Sequence, residues 1–296
     1  MAAQQPLPVA DTESGAPGPA PEKKTSRAGR DLPAAIAVGA ALGAMAIGSL
    51  LFAPKWWFPL LAIAIAIATH EVVRRLREHG YVLPVVPLLV GGQAMIWLAW
   101  PWGVPGTLGA YGGTIVVAMV WRLLGHGLRE QPVNYLRDIA ATVLLATWVP
   151  LFASFTALLI FQDNGGARVF TVIATVVFAD IGGYTAGVLF GKHLLAPAIS
   201  PKKSWEGLGG SLLFGIAASV LSVTFLLGKP AWVGLPLGLM LVITGVLGDL
   251  VESQVKRDLG IKDMGTLLPG HGGIMDRIDA MLPSAVAGWI VLTLLA

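Results

Sequence analysis

Residues 248–279 read GDLVESQVKRDLGIKDMGTLLPGHGGIMDRID, and this stretch is rich in charge although the chain as a whole is apolar. It contains six acidic residues, four basic residues and one histidine: Asp249, Glu252, Asp258, Asp263, Asp276, Asp279, Lys256, Arg257, Lys262, Arg277 and His271. An apolar chain that concentrates its charged side chains in one segment is expected to have its chemistry there.

The order of residues within this stretch indicates the kind of chemistry. If the segment begins as a helix, Asp249, Ser253 and Lys256 lie on one face, because they are spaced at i, i+4 and i+7. The run 269–273, Pro-Gly-His-Gly-Gly, cannot continue a helix and predicts a loop whose backbone can approach a phosphate closely. Carboxylates that neighbour phosphates need a metal ion between them, usually Mg²⁺, and basic side chains neutralise the remaining charge.

Composition places the chain among membrane proteins. It has 296 residues, of which 55% are hydrophobic and only 12% are charged, whereas a soluble domain has about 25% charged residues. The chain contains no cysteine, which excludes disulfides, thiolate metal sites and a cysteine nucleophile. The formal net charge of +3 argues against a general nucleic-acid-binding protein.

Repeated apolar runs of about 20 residues predict an all-α, polytopic helical membrane protein with about nine transmembrane helices. The predicted spans lie near 33–53, 56–73, 82–100, 103–124, 138–161, 167–190, 207–227, 231–249 and 279–296. Residues 1–30 are rich in Pro, Ala, Gly and charge and predict a disordered cytoplasmic tail, which leaves 31–296 as the transmembrane catalytic domain. Glycine and alanine at close spacing in the spans permit a homodimer.

The distribution of basic residues predicts the orientation of these spans. With the N-terminus in the cytoplasm, only Lys55, Arg168 and Lys229 of the 20 Lys and Arg residues fall on the outer side. Lys and Arg are typically enriched on the cytoplasmic side of a multi-pass membrane protein. The predicted location is therefore the cell membrane, plasma or inner. The same orientation places the charged stretch 248–279 on the cytoplasmic face, where nucleotides are found.

A second polar segment, residues 200–207, reads Ser-Pro-Lys-Lys-Ser-Trp-Glu-Gly and is predicted to be a cytoplasmic loop before the seventh span. Its Ser200, Ser204 and Glu206 offer hydrogen bonds, and its Lys202 and Lys203 offer positive charge. Taken alone, a lysine pair in such a loop is more typical of the positive-inside signal than of a binding site.

Acidic residues also occur inside predicted spans. Asp180 shares one helical face with Tyr184, Gly187 and Gly191, and a buried acid in a span is costly enough to suggest a function. It is either a polar contact that locks helices together or a wall of an active-site cavity that helps to position a cation. His70 and Glu71, at the end of the second span, are interpreted as partners in helix-end or interhelix hydrogen bonds rather than as catalytic residues.

The charged stretch resembles the signature of the phosphatidate cytidylyltransferases, also called CDP-diacylglycerol synthases, and shows no departure from it. The matching residues are Ser253, Lys256, Arg257, Lys262, Asp263, Gly265, Leu268, Pro269, His271, Gly272, Gly273, Asp276, Arg277 and Asp279. The Ser-Pro-Lys-Lys segment and the Asp180-x-x-x-Tyr184-x-x-Gly187 pattern are also similar to segments of this family. The resemblance implies the reaction of CTP with phosphatidate to give CDP-diacylglycerol and pyrophosphate, with Mg²⁺ as cofactor and the surrounding membrane lipids as partners.

The resemblance also implies roles for individual residues. Asp249 and Asp276 are expected to hold Mg²⁺ from two sides of the loop, with Asp279 and Glu252 as spare carboxylates for a second cation and Asp180 as a further candidate. The expected catalytic residues are Asp249, Asp276, Lys203, Lys256 and Arg277. The expected substrate-binding residues are Ser200, Lys202, Lys203, Ser204, Glu206, Ser253, Lys256, Arg257, His271, Gly272, Gly273 and Arg277, and the backbone of 271–273 is expected to cradle the departing pyrophosphate.

Two other classes of protein remain open at this point. Another CTP-dependent lipid enzyme, such as a polyprenol or phytol kinase or a CDP-archaeol synthase, would share the basic loop but differ in its acceptor, and a kinase would release CDP. A transporter of anionic substrates would carry charged residues near mid-membrane in several spans, whereas here only Asp180 is clearly of that kind.

Overall fold

The computed structural model describes residues 43–125, 127, 130–267 and 272–296, and these residues are almost entirely helical. The helices are α1 (Gly43–Phe52), α2 (Pro54–Glu78), α3 (Val85–Trp97), α4 (Ala99–Leu124), α5 (Tyr135–Ala146), α6 (Phe152–Ile160), α7 (Gly165–Phe190), α8 (Trp205–Phe225), α9 (Ala231–Asp258), α10 (Met275–Ile278) and α11 (Met281–Leu295). A π-helical turn, Thr147–Leu151, joins α5 to α6. The predicted all-α polytopic fold is confirmed.

Seven helical segments within the described residues are long and apolar enough to cross a membrane, with α5–α6 and α10–α11 each counted as one. Helix α3 has 13 residues and is therefore about 20 Å long, whereas the hydrocarbon core of a bilayer is about 30 Å thick. The predicted tail 1–30 and the start of the first predicted span lie outside the described residues. The count of nine spans, the cytoplasmic N-terminus and the homodimer stay predictions.

Helices α7, α8 and α9 pack side by side and form the part of the bundle that carries the site. Small residues allow α7 and α8 to approach closely, because a Cβ added at Gly182 would lie only 2.5 Å from the carbonyl oxygen of Gly210. Helix α9 in turn packs against α8 and α11. Polar side chains on α7, α8 and α9 are thereby brought to one end of a tight three-helix unit.

The polar segment before α8 is a β-hairpin, so the prediction of a loop was wrong in this detail. Strand β1 (Leu194–Ala196) pairs antiparallel with β2 (Ser200–Ser204). Glu206 closes the base of the hairpin, because its carboxylate accepts the backbone N–H groups of Lys192 and His193 at 3.1 and 3.2 Å. Ser204 caps α8 by accepting the Gly207 N–H at 3.0 Å.

An ion pair between α4 and α5 is buried in the bundle. Arg122, which lies in the predicted span 103–124, donates to Asp138 at 3.0 Å and to the Val133 carbonyl at 2.7 Å. The side chains of Arg122 and Asp138 are 4% and 0% exposed. Since a buried charge needs a partner, each of these residues depends on the other.

The end of α2, the start of α5, the hairpin after α7 and the loop after α9 meet at one end of the bundle, called here the site end. The guanidinium of Arg137 lies 4.4 Å from the centre of the Tyr81 ring, which joins the loop after α2 to the start of α5. Arg257, near the end of α9, donates to the Ile199 carbonyl in the hairpin turn at 3.3 Å. Residues that are far apart in the chain therefore face one another at this end.

Candidate functional site

A cavity of about 320 Å³ opens at the site end between α7, α8, α9 and the β-hairpin. Its lining includes residues that the sequence singled out: Asp180, Ser200, Lys202, Lys203, Ser204 and Asp249. The tight packing of α7 on α8 and the closed base of the hairpin hold these side chains around one space. The cavity is therefore the candidate active site.

Asp249 lies in the cavity wall and carries a basic partner from the hairpin. The Lys203 ammonium is 2.6 Å from Asp249 Oδ2, and the Ser253 hydroxyl donates to Asp249 Oδ1 at 3.2 Å. Helix α9 continues past the predicted end at 249 as far as Asp258, which confirms that Asp249 and Ser253 share a helical face. Nine residues of helix place Asp249 about 14 Å below the end of α9.

Asp180 lies in the opposite wall, on α7. It interacts electrostatically with the carboxylates of Asp249 and Asp279 and with the basic side chains of Lys203 and Arg277. Asp249 and Asp279 also interact with each other. Three carboxylates, from α7, α9 and the last predicted span, thus interact electrostatically within a bundle that is otherwise largely apolar.

Asp276 holds its own loop together. Its side chain is 3% exposed and its Oδ1 is 3.1 Å from the Lys256 ammonium. The same carboxylate accepts the backbone N–H groups of Met264 at 2.9 Å, Gly265 at 3.3 Å and Gly273 at 2.9 Å. It thereby joins the two limbs of the signature loop, defined here as residues 263–267 and 272–275. Asp276 is not among the residues that line the cavity.

Lys256 is placed between two acids. Its ammonium contacts Glu252, one turn earlier on α9, as well as Asp276. Glu252 is fully buried, and its Oε1 has no hydrogen-bond partner among the described residues. The carboxyl group that the sequence suggested for a second cation is therefore buried beside Lys256, three residues after Asp249 on α9.

The other predicted binding residues lie around the cavity and the loop. Arg257 and Glu206 hold the hairpin, through the Ile199 carbonyl and through the backbone before β1. Arg277 is exposed and interacts electrostatically with Asp180 in the cavity wall. Gly272 has a φ of +83°, which favours glycine, and the Gly273 N–H is directed at Asp276. His271 lies outside the described residues.

The donor chemistry of the site fits Mg²⁺, although no group of three metal-ligating side chains already lies together in the described parts of the chain. Asp249 and Asp276 supply the carboxylate oxygens that Mg²⁺ prefers. Each of these aspartates is neutralised by a lysine ammonium, Lys203 and Lys256 respectively. A divalent cation would compete with these lysines for the same oxygens.

Two residues of α2 take part in the site and were not assigned to it from the sequence. Glu71 accepts the backbone N–H groups of Ile274 and Met275 at 3.2 and 3.0 Å, which confirms its interpretation as a hydrogen-bond partner between segments. Arg75 donates to the Met264 carbonyl at 2.9 Å. The signal that points to Glu71 is an acid at the end of an apolar run; its partners are about 200 residues away and cannot be read from the sequence.

Similarity to known proteins identifies the family. Residues 33–295 match the cytidylyltransferase family. The chain is 60% identical over 284 residues to a protein of Mycobacterium leprae, covering 92% of this chain and 91% of that one. It is 58% identical over 283 residues to a protein of Mycobacterium bovis, covering 93% and 92% of the two chains.

The chain belongs to the cytidylyltransferase family. A more distant protein, from Pseudomonas aeruginosa, is 37% identical over 206 residues, which cover 66% of this chain and 67% of that protein. All three relatives are named phosphatidate cytidylyltransferase. The cytidylyltransferase match includes α7, α8, α9, the hairpin and the signature loop, so it covers every element of the candidate site.

Proposed function

We infer that the protein transfers the cytidylyl group of CTP to phosphatidate, giving CDP-diacylglycerol and pyrophosphate for phospholipid biosynthesis. The identity of 58–60% to relatives named for this activity supports the inference. The observation that carries it in the structure is the cavity at the site end, where Lys202 and Lys203 of the hairpin face Asp180 and Asp249. Such a site can bind two phosphorylated substrates and a cation together.

The chemistry explains why the site is built from charges. A phosphate oxygen of phosphatidate attacks the α-phosphorus of CTP, the bond from that phosphorus to the α–β bridging oxygen breaks, and pyrophosphate leaves. The attacking oxygen is already ionised at neutral pH, so no general base is required. The obstacle is the repulsion between two polyanions, and fixed positive groups lower it most effectively.

The basic residues take complementary roles in this proposal. Lys202 and Lys203 bind phosphate groups in the cavity, and Lys203 exchanges its contact with Asp249 for one with a phosphate oxygen. Arg277 and Arg257 attract phosphate at the mouth, where both are exposed. Lys256 keeps Asp276 in place between the two limbs of the signature loop.

We propose Asp249 and Asp276 as ligands of Mg²⁺, with Asp279 and Asp180 as further carboxylates and Glu252 as a counter-charge for a second cation. When bound, Mg²⁺ supplies positive charge at the phosphate oxygens and helps to orient them. The residues of this chain bring the reacting groups together, and the apolar walls of α7, α8 and α9 limit the entry of water.

The lipid substrate enters from the side of the bundle in this proposal. Tyr184 lines the cavity and is 76% exposed, and its neighbours on α7, Ile181 and Val188, are 48% and 66% exposed. An exposed apolar face on a membrane-spanning helix contacts acyl chains. The phosphatidate headgroup can therefore reach the cavity while its tails remain in the leaflet beside α7.

The orientation follows from the same end of the bundle. Basic residues near the end of α2, at the start of α5, in the hairpin and near the end of α9 gather at the site end, and the positive-inside rule assigns that end to the cytoplasm. We propose that the protein resides in the plasma or inner membrane, with the cavity open to cytoplasmic CTP.

Product analysis tests the proposed function. Purified protein is incubated with phosphatidate, Mg²⁺ and CTP that carries a radiolabel in the γ-phosphate. The label is expected in pyrophosphate, with formation of CDP-diacylglycerol. A labelled lipid together with CDP would identify a kinase, and absence of any product would contradict an enzyme that uses these two substrates. Archaetidic acid in place of phosphatidate tests the CDP-archaeol alternative, for which it would be the better acceptor.

A further inference from the structure

We propose that Glu71 and Arg75 of α2 are positioning residues, which hold the two limbs of the signature loop in the shape required for cytidylyl transfer. The inference rests on the proposed function for its kinetic part, whereas the contacts themselves stand independently. Both side chains are on one face of α2 because they are four residues apart. Each reaches a different limb of the loop.

Glu71 holds the limb that leads into Asp276. It is 8% exposed, and each carboxylate oxygen accepts one backbone N–H: Oε1 from Ile274 at 3.2 Å and Oε2 from Met275 at 3.0 Å. Both oxygens of a buried acid are therefore used to fix the two residues immediately before Asp276. A buried carboxylate with two N–H donors is a strong, directional anchor.

The loop is shaped to accept this carboxylate. A Cβ added at Gly273 would lie 2.6 Å from Glu71 Oε1, and a Cβ added at Gly265 would lie 2.5 Å from Glu71 Cδ. Both distances are too short for real contacts, so these two positions leave room for Glu71 only because they are glycines. One glycine belongs to each limb, which places Glu71 at the junction of the two.

Arg75 holds the other limb by donating hydrogen bonds to the backbone carbonyl groups of that limb. Its Nε donates to the Met264 carbonyl at 2.9 Å and its Nη2 to the Asp263 carbonyl at 3.4 Å. Helix α2 therefore binds N–H groups on one limb and C=O groups on the other, and Asp276 connects the limbs through Met264 and Gly273. Removal of either α2 contact is expected to displace Asp276 and Lys256 together.

Neither α2 residue lines the cavity, so both act through the loop rather than on a substrate. A displacement of reacting groups by about 1 Å costs on the order of 100-fold in rate, and loss of supporting hydrogen bonds around metal ligands typically costs about 10- to 100-fold. A loss of this size is expected from substitutions that leave the bundle folded.

The test uses the full-length protein in detergent with two variants, Glu71→Gln and Arg75→Met, and two controls on the same helix. Glu71→Gln preserves size but keeps only one acceptor oxygen. Arg75→Met replaces the aliphatic part of the side chain but removes the donors. The controls are His70→Gln, because His70 is exposed, and Arg74→Met, because Arg74 is exposed and contacts only Glu78 among the contacts described here. Hydrogen–deuterium exchange, kcat and Tm are measured for each.

Both variants are expected to exchange amides faster in peptides that cover 264–267 and 272–276, and to lose about 10- to 100-fold in kcat, while the controls behave as wild type. Wild-type exchange and kcat in both variants would overturn the proposal. So would a fall in activity that only matches a lower folded fraction, with no local change in exchange. Failure of the wild-type protein to form CDP-diacylglycerol would contradict the proposed function alone. The exchange data test the contacts of Glu71 and Arg75 with the signature loop separately.

Discussion

At the scale of single residues, the site is a set of carboxylates whose charge is balanced by lysines. Asp249 pairs with Lys203, and Asp276 pairs with Lys256. In an apolar bundle these pairs prevent unpaired charge in the absence of substrate. The same lysines are then close to the positions where phosphate groups and a cation are proposed to bind.

Substitution Lys203→Met is expected to raise KM for CTP about tenfold or more, because a hydrogen bond to a charged group contributes about 1.5–3 kcal/mol. Initial rates at varied CTP concentration measure the effect. Lys229→Met is the matched control, since Lys229 is an exposed lysine in the loop between α8 and α9. An unchanged KM in Lys203→Met would indicate that Lys203 serves only as a positive-inside signal for membrane orientation.

Sequence reasoning found the cavity residues because charge inside or beside an apolar run is conspicuous. Asp180 and Asp249 were identified in this way, whereas Lys203 was identified through the resemblance of its segment to the family, and all three line one cavity. The donors to Asp276 could not be predicted, because they are backbone N–H groups of a loop whose shape depends on α2. Glu71 was recognised as a hydrogen-bond partner, but its position against Gly265 and Gly273 is a property of the folded chain.

At the scale of elements, the helices were easier to predict than the hairpin. Apolar periodicity over 20 or so residues signals a span, and the last predicted residues of most spans lie close to the observed helix ends. Helix α9 extends past the predicted end because its polar face is turned to the site, so that hydrophobicity falls while the helix continues. The strands β1 and β2 are three and five residues long and carry no alternating pattern, and so the sequence suggested only a loop.

Substitution Asp138→Asn tests the join between α4 and α5. It leaves the Arg122 guanidinium buried without its counter-charge, and breaking a buried pair in this way costs about 3–5 kcal/mol. Tm in detergent is therefore expected to fall clearly. Glu78→Gln, which weakens the pairs of Glu78 with Arg74 and Arg75 at the surface, is expected to change Tm little. An equal, small change in both variants would contradict a stabilising role for the buried pair.

At the scale of the whole molecule, the fold separates two environments. One end collects the basic loops, the hairpin and the signature loop, and the exposed apolar faces of the helices, including that of α4, fit contact with lipid. In the proposed function, this separation lets a water-soluble nucleotide and a membrane lipid reach the same site. The orientation that the positive-inside rule predicts stays a prediction. The number of spans could not be fixed from the sequence, since α3 is shorter than a membrane-crossing helix.

The orientation is testable directly because the chain has no cysteine. Single substitutions Lys192→Cys, at the site end, and Lys229→Cys, between α8 and α9, are treated with a membrane-impermeant maleimide. Lys229→Cys is expected to react in intact cells, whereas Lys192→Cys should react only in inverted vesicles. The reverse pattern would place the cavity on the outer face and contradict the use of cytoplasmic CTP.

The most direct measurement is the transfer of label from the α-phosphate of CTP to phosphatidate by the Asp249→Asn variant. Asp163→Asn serves as control, because Asp163 is an exposed acid in the loop between α6 and α7, and Tm confirms that both variants are folded. We expect Asp249→Asn to lose on the order of 100-fold or more in kcat while Asp163→Asn keeps the wild-type rate. Label transfer at the wild-type rate by Asp249→Asn would show that the cavity between α7, α8 and α9 is not where the nucleotide meets the lipid.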